Sequence, residues 1–196
     1  MGRLAAVTGA TGFIGRHTVT ALRRRGWDVR ALVRRHPTDL LSPYHRLELV
    51  LGDVDDDAAL ERLVDGAQAI VHLAGLVKAL RPEDFYAVNE AGTERLLRAA
   101  ARHSPDAALL HVSSLAARQP QLSPYCDSKH RAEAKVATLA GDRSWTILRP
   151  PAVYGPGDLE MLPLFKATRL GFVPYPATAE ARVSLIHGID LAEAIA

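Results

Sequence analysis

Tyr125 and Lys129 stand four residues apart in a stretch patterned as a helix, so their side chains fall on one face. A phenol with a pKa near 10 is a poor proton donor or acceptor at neutral pH. A neighbouring ammonium favours the phenolate and pulls that pKa down, which makes the tyrosine a usable acid and base. Ser114 lies eleven residues before Tyr125, at the end of an apolar run, where its hydroxyl can hold a substrate oxygen. Ser113 is the alternative for that place. Groups of these types can move a proton while something else moves a hydride. Taken alone, Tyr-x-x-x-Lys is equally met by an aromatic core anchor beside a solvated lysine. The pair therefore needs a partner elsewhere in the chain.

The N-terminus supplies one. Arg3 to Thr8 is a short apolar run that reads as a buried strand. It enters Gly9-Ala10-Thr11-Gly12-Phe13-Ile14-Gly15, and a helical pattern follows until Gly26. Glycines in a strand-to-helix turn permit tight geometry and close backbone approach to a pyrophosphate, while the helix N-terminus offers free N–H groups. The spacing is G-x-x-G-x-x-G rather than G-x-G-x-x-G. A sharp turn without a ligand does not account for three glycines at one interval. The second strand, Asp28 to Val33, ends in Arg34-Arg35 where an acid would grip the adenosine ribose hydroxyls. Guanidinium suits a phosphate, so NADP is expected over NAD, with Arg16 in support. Ordinary surface charge is the alternative for the two arginines.

The rest of the chain alternates in the same way. Strands are expected at Arg46 to Leu51, Ala67 to Leu73, Ala107 to Ser113 and Trp145 to Leu148. Helices are expected after the acidic run Asp55-Asp56-Asp57, from about Pro82 to Arg102, and from Ser123-Pro124 to about Ala140. This pattern predicts an α/β, doubly wound parallel sheet, the Rossmann fold. Ligands of such sheets bind outside the carboxyl ends of the strands. The glycine turn, Arg34, Asp53, Ala74-Gly75, Ser113-Ser114 and Pro150-Pro151 all fall there. Residues 1–150 form the expected dinucleotide-binding domain. After Pro151 the alternation fades: a loop at Tyr154 to Asp158, a short helix at Met161 to Leu170, an irregular stretch at Tyr175 to Ala181, a strand at Val183 to Ile186 and a helix opening at Ile189. Residues 151–196 read as the start of a substrate-binding segment that is apparently truncated.

Composition sets outer bounds. The chain has 196 residues, 48% of them hydrophobic, and a net charge of only +2, which does not point to nucleic acid. The single cysteine, Cys126, excludes an internal disulfide and fits a reducing compartment. The chain shows no apolar run of membrane-spanning length and no targeting segment, so cytoplasmic residence is expected. The eight histidines show no i, i+4 pair, and no metal site is expected.

Taken in order, these motifs resemble the extended short-chain dehydrogenase/reductase family, the group of nucleotide-sugar epimerases and dehydratases. The marks are Thr8 to Gly15, Gly52-Asp53, His72 to Gly75, Val88 to Thr93, Val112-Ser113-Ser114, Tyr125-x-x-x-Lys129, Leu148 to Asp158 and Ile186 to Ala192. The resemblance implies that Tyr125 is the catalytic acid/base, that Lys129 lowers its pKa and bonds the nicotinamide ribose, and that Ser114 bonds the reacting oxygen. It implies cofactor contacts from Gly9, Thr11, Gly12, Phe13, Ile14, Gly15, Arg34, Asp53, Val54, Ala74, Gly75 and Pro150. Asn89 resembles the asparagine that supports a proton relay in related enzymes; a buried packing amide is the alternative. The expected activity is an NAD(P)-dependent oxidoreductase acting on a small molecule: a carbonyl or hydroxyl compound, or a sugar nucleotide to be reduced, epimerised or dehydrated. The rival is a non-catalytic NADP-binding redox sensor or assembly subunit. The resemblance also implies a homodimer paired through the helix of Tyr125 and the one before it; the outer faces there include Leu97, Ala101, Val136 and Leu139, some of which must instead be core, and sequence does not sort them.

Overall fold

The computed structural model describes residues 2–35, 47–172 and 182–196. Six parallel strands form the central sheet: β1 (Arg3–Thr8), β2 (Trp27–Val33), β3 (Leu47–Leu51), β4 (Ala69–His72), β5 (Ala108–Val112) and β6 (Trp145–Leu148). Their order is β3-β2-β1-β4-β5-β6. The chain winds outward from β1 to β3, returns to the other side of β1, and winds outward again. The reversal between β1 and β4 is the switch point at which such sheets open a crevice. Register puts the strand ends on one edge. Thr8 lies opposite His72, His72 opposite His111, and Val112 opposite Leu148.

Central strands of such a sheet have helices on both faces, so they read as continuous apolar runs. Ala5, Ala6 and Val7 are all fully buried. On one face lie α2 (Asp57–Val64) and α4 (Gly92–His103), whose Leu60, Leu63, Val64, Leu96 and Leu97 close over Ala6, Ile70 and Leu109. On the other, Val19 and Leu22 of α1 (Phe13–Arg24) meet Val7, Val29 and Val33. Leu191 and Ile195 of α7 (Gly188–Ile195) join that same core. The caps follow the sequence. Asp56 accepts from Ala59 N at the start of α2, and Ser123 accepts from Cys126 N before Pro124 opens α5 (Pro124–Leu139). The short helix in the later segment is α6 (Leu162–Arg169).

Three local features differ from the sequence expectation or complete it. The helix expected from Pro82 is α3 (Pro82–Phe85), a π-helical segment (Tyr86–Ala91) and then α4. The wide turn carries Asn89, whose buried amide grips Leu76 through its N–H at 2.7 Å and its C=O at 3.0 Å, and donates to Ser128 Oγ at 2.9 Å. Second, Ala152–Tyr154 is a strand, β7, paired in parallel with β8 (Leu185–His187). Third, the structure sorts the four residues that the sequence left open: Leu97 and Val136 belong to the subunit core and Leu139 packs against it, while Ala101 is exposed. The outer surface of α4 and α5 carries ion pairs instead: Arg98 and Lys135 with Glu94, and Arg131 with Asp127. Arg46 and Tyr175 to Ala181 lie outside the described residues. Among the described residues no helix is long and apolar enough to cross a membrane.

Candidate active site

The glycine turn is dictated by backbone crowding. Gly9 has φ +71°, and a Cβ there would sit 2.7 Å from Ala74 N. A Cβ on Gly15 would come within 2.0 Å of the Gly9 carbonyl oxygen, which also accepts from Gly12 N at 3.0 Å. Gly12, the N-cap of α1, brings no side-chain cap, and the first turn holds no acid. The leading N–H groups of α1 are therefore available to an anion. This cradle, which side chains would fill, fits a pyrophosphate. Gly15→Ala is expected to destabilise the fold by about 1–3 kcal/mol, since backbone must move to admit the methyl. A melting temperature equal to the parent's would show that the turn relaxes freely.

The turn is fixed from below by a buried chain of hydrogen bonds. Ala74 N donates to Thr8 Oγ1 at 3.1 Å, and Thr8 Oγ1 lies 2.6 Å from His72 Nδ1. His72 Nε2 lies 2.9 Å from Thr93 Oγ1, which donates to the Asn89 carbonyl at 2.6 Å. Thr93 spends its proton on Asn89, so it accepts from His72 Nε2–H. Nδ1 then accepts from Thr8, and the tautomer follows from the partners. Burial, and secondarily Lys129, lowers the His72 pKa to about 3, so the ring is neutral. His111 packs against it, with ring centroids 5.1 Å apart. Neither histidine is among the residues lining the cleft.

That cleft is a cavity of about 1280 Å³ over the strand ends. Gly9, Gly12, Phe13, Ile14, Gly15, Gly75, Ser114, Tyr125, Lys129 and Pro150 line it together. Thr11, Arg34, Asp53, Val54 and Ala74 are not in its wall. Arg34 is exposed at the end of β2. Val54 is buried against Gly92, which leaves its backbone rather than its side chain for a ligand. Asp53 accepts from Val54 N at 2.8 Å.

Ser114 is the serine brought to the tyrosine. It caps a 3-10 turn (Leu115–Arg118) by accepting from Ala116 N, and its hydroxyl lies close enough to the Tyr125 phenol to act on its titration. Ser113 Oγ is buried close to Glu133 without reaching a hydrogen bond of normal geometry. Lys129 is 4% exposed and donates to the Val112 carbonyl at 2.9 Å. A Cβ on Gly75 would press on Asn89 Oδ1 at 3.3 Å and touch Lys129 Nζ at 3.6 Å, an ordinary contact.

The electrostatics correct one expectation. Lys129 was to pull the Tyr125 pKa down. Instead burial raises it above its ordinary value of 10, with the nearby Ser114 hydroxyl opposing. The ammonium is turned to the Val112 carbonyl, and its own pKa is lowered to about 8 by burial, against the field of Glu133, which raises it. Sequence reading also passed over Glu133 and Arg149, which form a two-pronged ion pair. The signal was present: Glu133 follows Lys129 by four residues, on the face that carries the tyrosine and lysine.

With the geometry in place, comparison with known proteins agrees with it. The chain is 45% identical over 192 residues to a ceramide reductase of Caulobacter vibrioides, covering 96% of this chain and 58% of that protein. It is 32% identical to a 3 beta-hydroxysteroid dehydrogenase/Delta 5→4-isomerase of Mycobacterium tuberculosis, covering 96% of this chain and 59% of the relative. The chain thus spans somewhat over half the length of these relatives. Among solved structures, MoeE5 in complex with UDP-glucose and NAD superposes with a TM-score of 0.78 at 29% identity, over 99% of this chain and 70% of the other. Residues 5–196 match the model of the NAD dependent epimerase/dehydratase family, and with the glycine turn and the Tyr-x-x-x-Lys helix meeting in one cleft, the chain belongs to that family, of the extended short-chain dehydrogenase/reductase type.

Proposed function

We propose that this chain carries the cofactor site and catalytic residues of an NADP-dependent oxidoreductase that interconverts a ketone and an alcohol on an apolar, lipid-class substrate. The observation that carries the reading is the meeting of Ser114, Tyr125 and Lys129 in the wall of one cleft under the glycine turn. A bound nicotinamide supplies or accepts the hydride. The chain's own residues handle the oxygen and the proton. Ser114 holds the carbonyl oxygen by hydrogen bond, and Tyr125 gives that oxygen its phenolic proton as negative charge develops. Lys129, charged at neutral pH, opposes the negative charge then left on the phenol. In the oxidative direction the phenolate takes the proton back.

The apolar substrate is supported by the wall beyond the triad: Leu76, Val77, Leu115, Leu122, Leu159 and Met161. Two relatives are named for ceramide and a steroid. A sugar-nucleotide substrate is the second reading. It is favoured by Arg118 and Arg182 in the same wall and by the UDP-glucose of MoeE5. NADP is preferred over NAD because Arg34, and no acid, stands at the end of β2. A titration following nicotinamide fluorescence tests this. NADPH is expected to bind more tightly than NADH, and Arg34→Ala to weaken NADPH by about 10- to 150-fold, the worth of one charged hydrogen bond. Equal affinity for the two cofactors would sink the NADP assignment and leave the catalytic reading standing.

A further inference from the structure

The Glu133–Arg149 pair lies outside the reacting groups yet touches the frame of each. Glu133 is 6% exposed on α5, one turn beyond Lys129. Arg149 Nε donates to Oε1 at 2.9 Å and its terminal nitrogen to Oε2 at 2.5 Å. Arg149 sits at the end of β6 between two residues that hold the serine loop. Leu148 O accepts from Ser113 N at 2.7 Å, and Pro150 O accepts from Leu115 N at 2.9 Å. Ser114 is thus suspended between backbone bonds on either side of Arg149. Arg149 in turn is fastened to the helix that carries Tyr125. A continuous path joins serine to tyrosine without passing through the cleft.

We infer that Glu133, held by Arg149, is a positioning residue that fixes Ser114 relative to Tyr125 and supplies the negative charge that keeps Lys129 an ammonium. The inference rests on the catalytic reading of Lys129 given above. Of the titratable groups around the lysine, His72 on β4 and His111 on β5 are both neutral because burial depresses them. Tyr125 on the same helix is protonated, since burial raises it. Glu133 remains as the carboxylate whose field reaches Lys129. Burial pushes Glu133 up, but the two hydrogen bonds from Arg149, with the Ser113 hydroxyl close by and the positive charge of Arg149, outweigh this, so the acid stays ionised. Arg149 offsets part of that charge, but its side chain is 44% exposed and screened by water.

Two substitutions separate charge from scaffolding, because their effects on Lys129 have opposite signs. Glu133→Gln removes the negative charge, so Lys129 should lose its proton at lower pH, by about half a unit to one unit. Arg149→Gln removes the opposing positive charge, so the lysine midpoint should rise by a similar amount. The chain has only four lysines, so the titration can be followed by NMR after reductive 13C-methylation, on the full chain without cofactor. Turnover should follow: the fall in rate as pH rises through about 8 should move to lower pH in Glu133→Gln and to higher pH in Arg149→Gln. Equal midpoints in parent and Glu133→Gln, or movement of both variants in one direction, would overturn the inference and leave the pair a mere staple. If midpoints move as stated while the turnover profile stays put, the coupling holds and the catalytic role of Lys129 fails instead.

Discussion

Tyr125→Phe will lower turnover by about 10²–10⁴-fold, the usual worth of a general acid, while NADPH affinity stays within about twofold. The ring remains: Phe85 packs edge-on against it with centroids 6.1 Å apart, and phenylalanine keeps that contact. What goes is the hydroxyl that faces the cleft beside Ser114. Reduction of a lipid ketone followed at the nicotinamide absorbance, beside a fluorescence titration of cofactor, separates the two effects. Unchanged turnover would assign the proton to another group. Because burial holds the phenol protonated, reduction should run best at or below neutral pH. Oxidation, which needs the phenolate, should speed up as pH rises.

Lys129→Met is the second large effect, and here activity and stability move apart. The lysine titrates at 10.5 when exposed and at about 8 in the fold, so between those values the unfolded chain holds a proton that the folded one has lost. Burial of the charge therefore opposes folding in full below about 8, and the opposition is relieved as pH rises toward 10.5. The gap corresponds to about 3 kcal/mol at neutral pH. Methionine fills similar space without a charge. The variant should melt at least about 2–4 °C higher at pH 7, even after losing the bond to the Val112 carbonyl, and the advantage should shrink toward pH 10. Turnover should drop by about 10²–10³-fold. A lower melting temperature at pH 7 would mean that the Val112 bond is worth more than the desolvation. A buried ammonium kept at such a cost fits the role proposed for Lys129.

What was legible in the sequence was local. Glycine spacing, apolar runs, the Ser123-Pro124 cap and the shared face of Tyr125 and Lys129 each depend on a few neighbouring residues, and each reappears in the structure. The meeting of Ser114 with Tyr125 was within reach because the strand-end rule places them on one edge. What stayed hidden depends on contacts distant in sequence or on burial. β7 pairs with a strand more than 30 residues away. The π-helical turn at Asn89 answers to Leu76 and Ser128, not to its own neighbours. Leu97 and Val136 have the spacing of an outer stripe and yet close the core. The direction of the Tyr125 shift needed the depth of the phenol, which no motif records. Glu133 was visible as a letter four places after Lys129; its partner Arg149 was visible only as the residue before two prolines.

The chain of bonds from Ala74 through Thr8, His72 and Thr93 to Asn89 has a mechanical consequence. Every donor in it points the same way, so no member can turn over without reversing all the rest. It spans the end of β1, the end of β4 and the π-helical segment. Asn89 then passes the hold to Leu76 and to Ser128, beside Lys129. Behind the wall of the cleft, one continuous run of bonds therefore ties the glycine turn to the lysine's helix. Compliance belongs to the rim. There Val77 and Leu80 stand in solvent, and the exposed Lys78–Glu160 pair ties the loop after β4 to the loop after β7. In the reading proposed above, the adaptable surface then lies where a substrate would enter and the braced surface beneath the groups that would react with it.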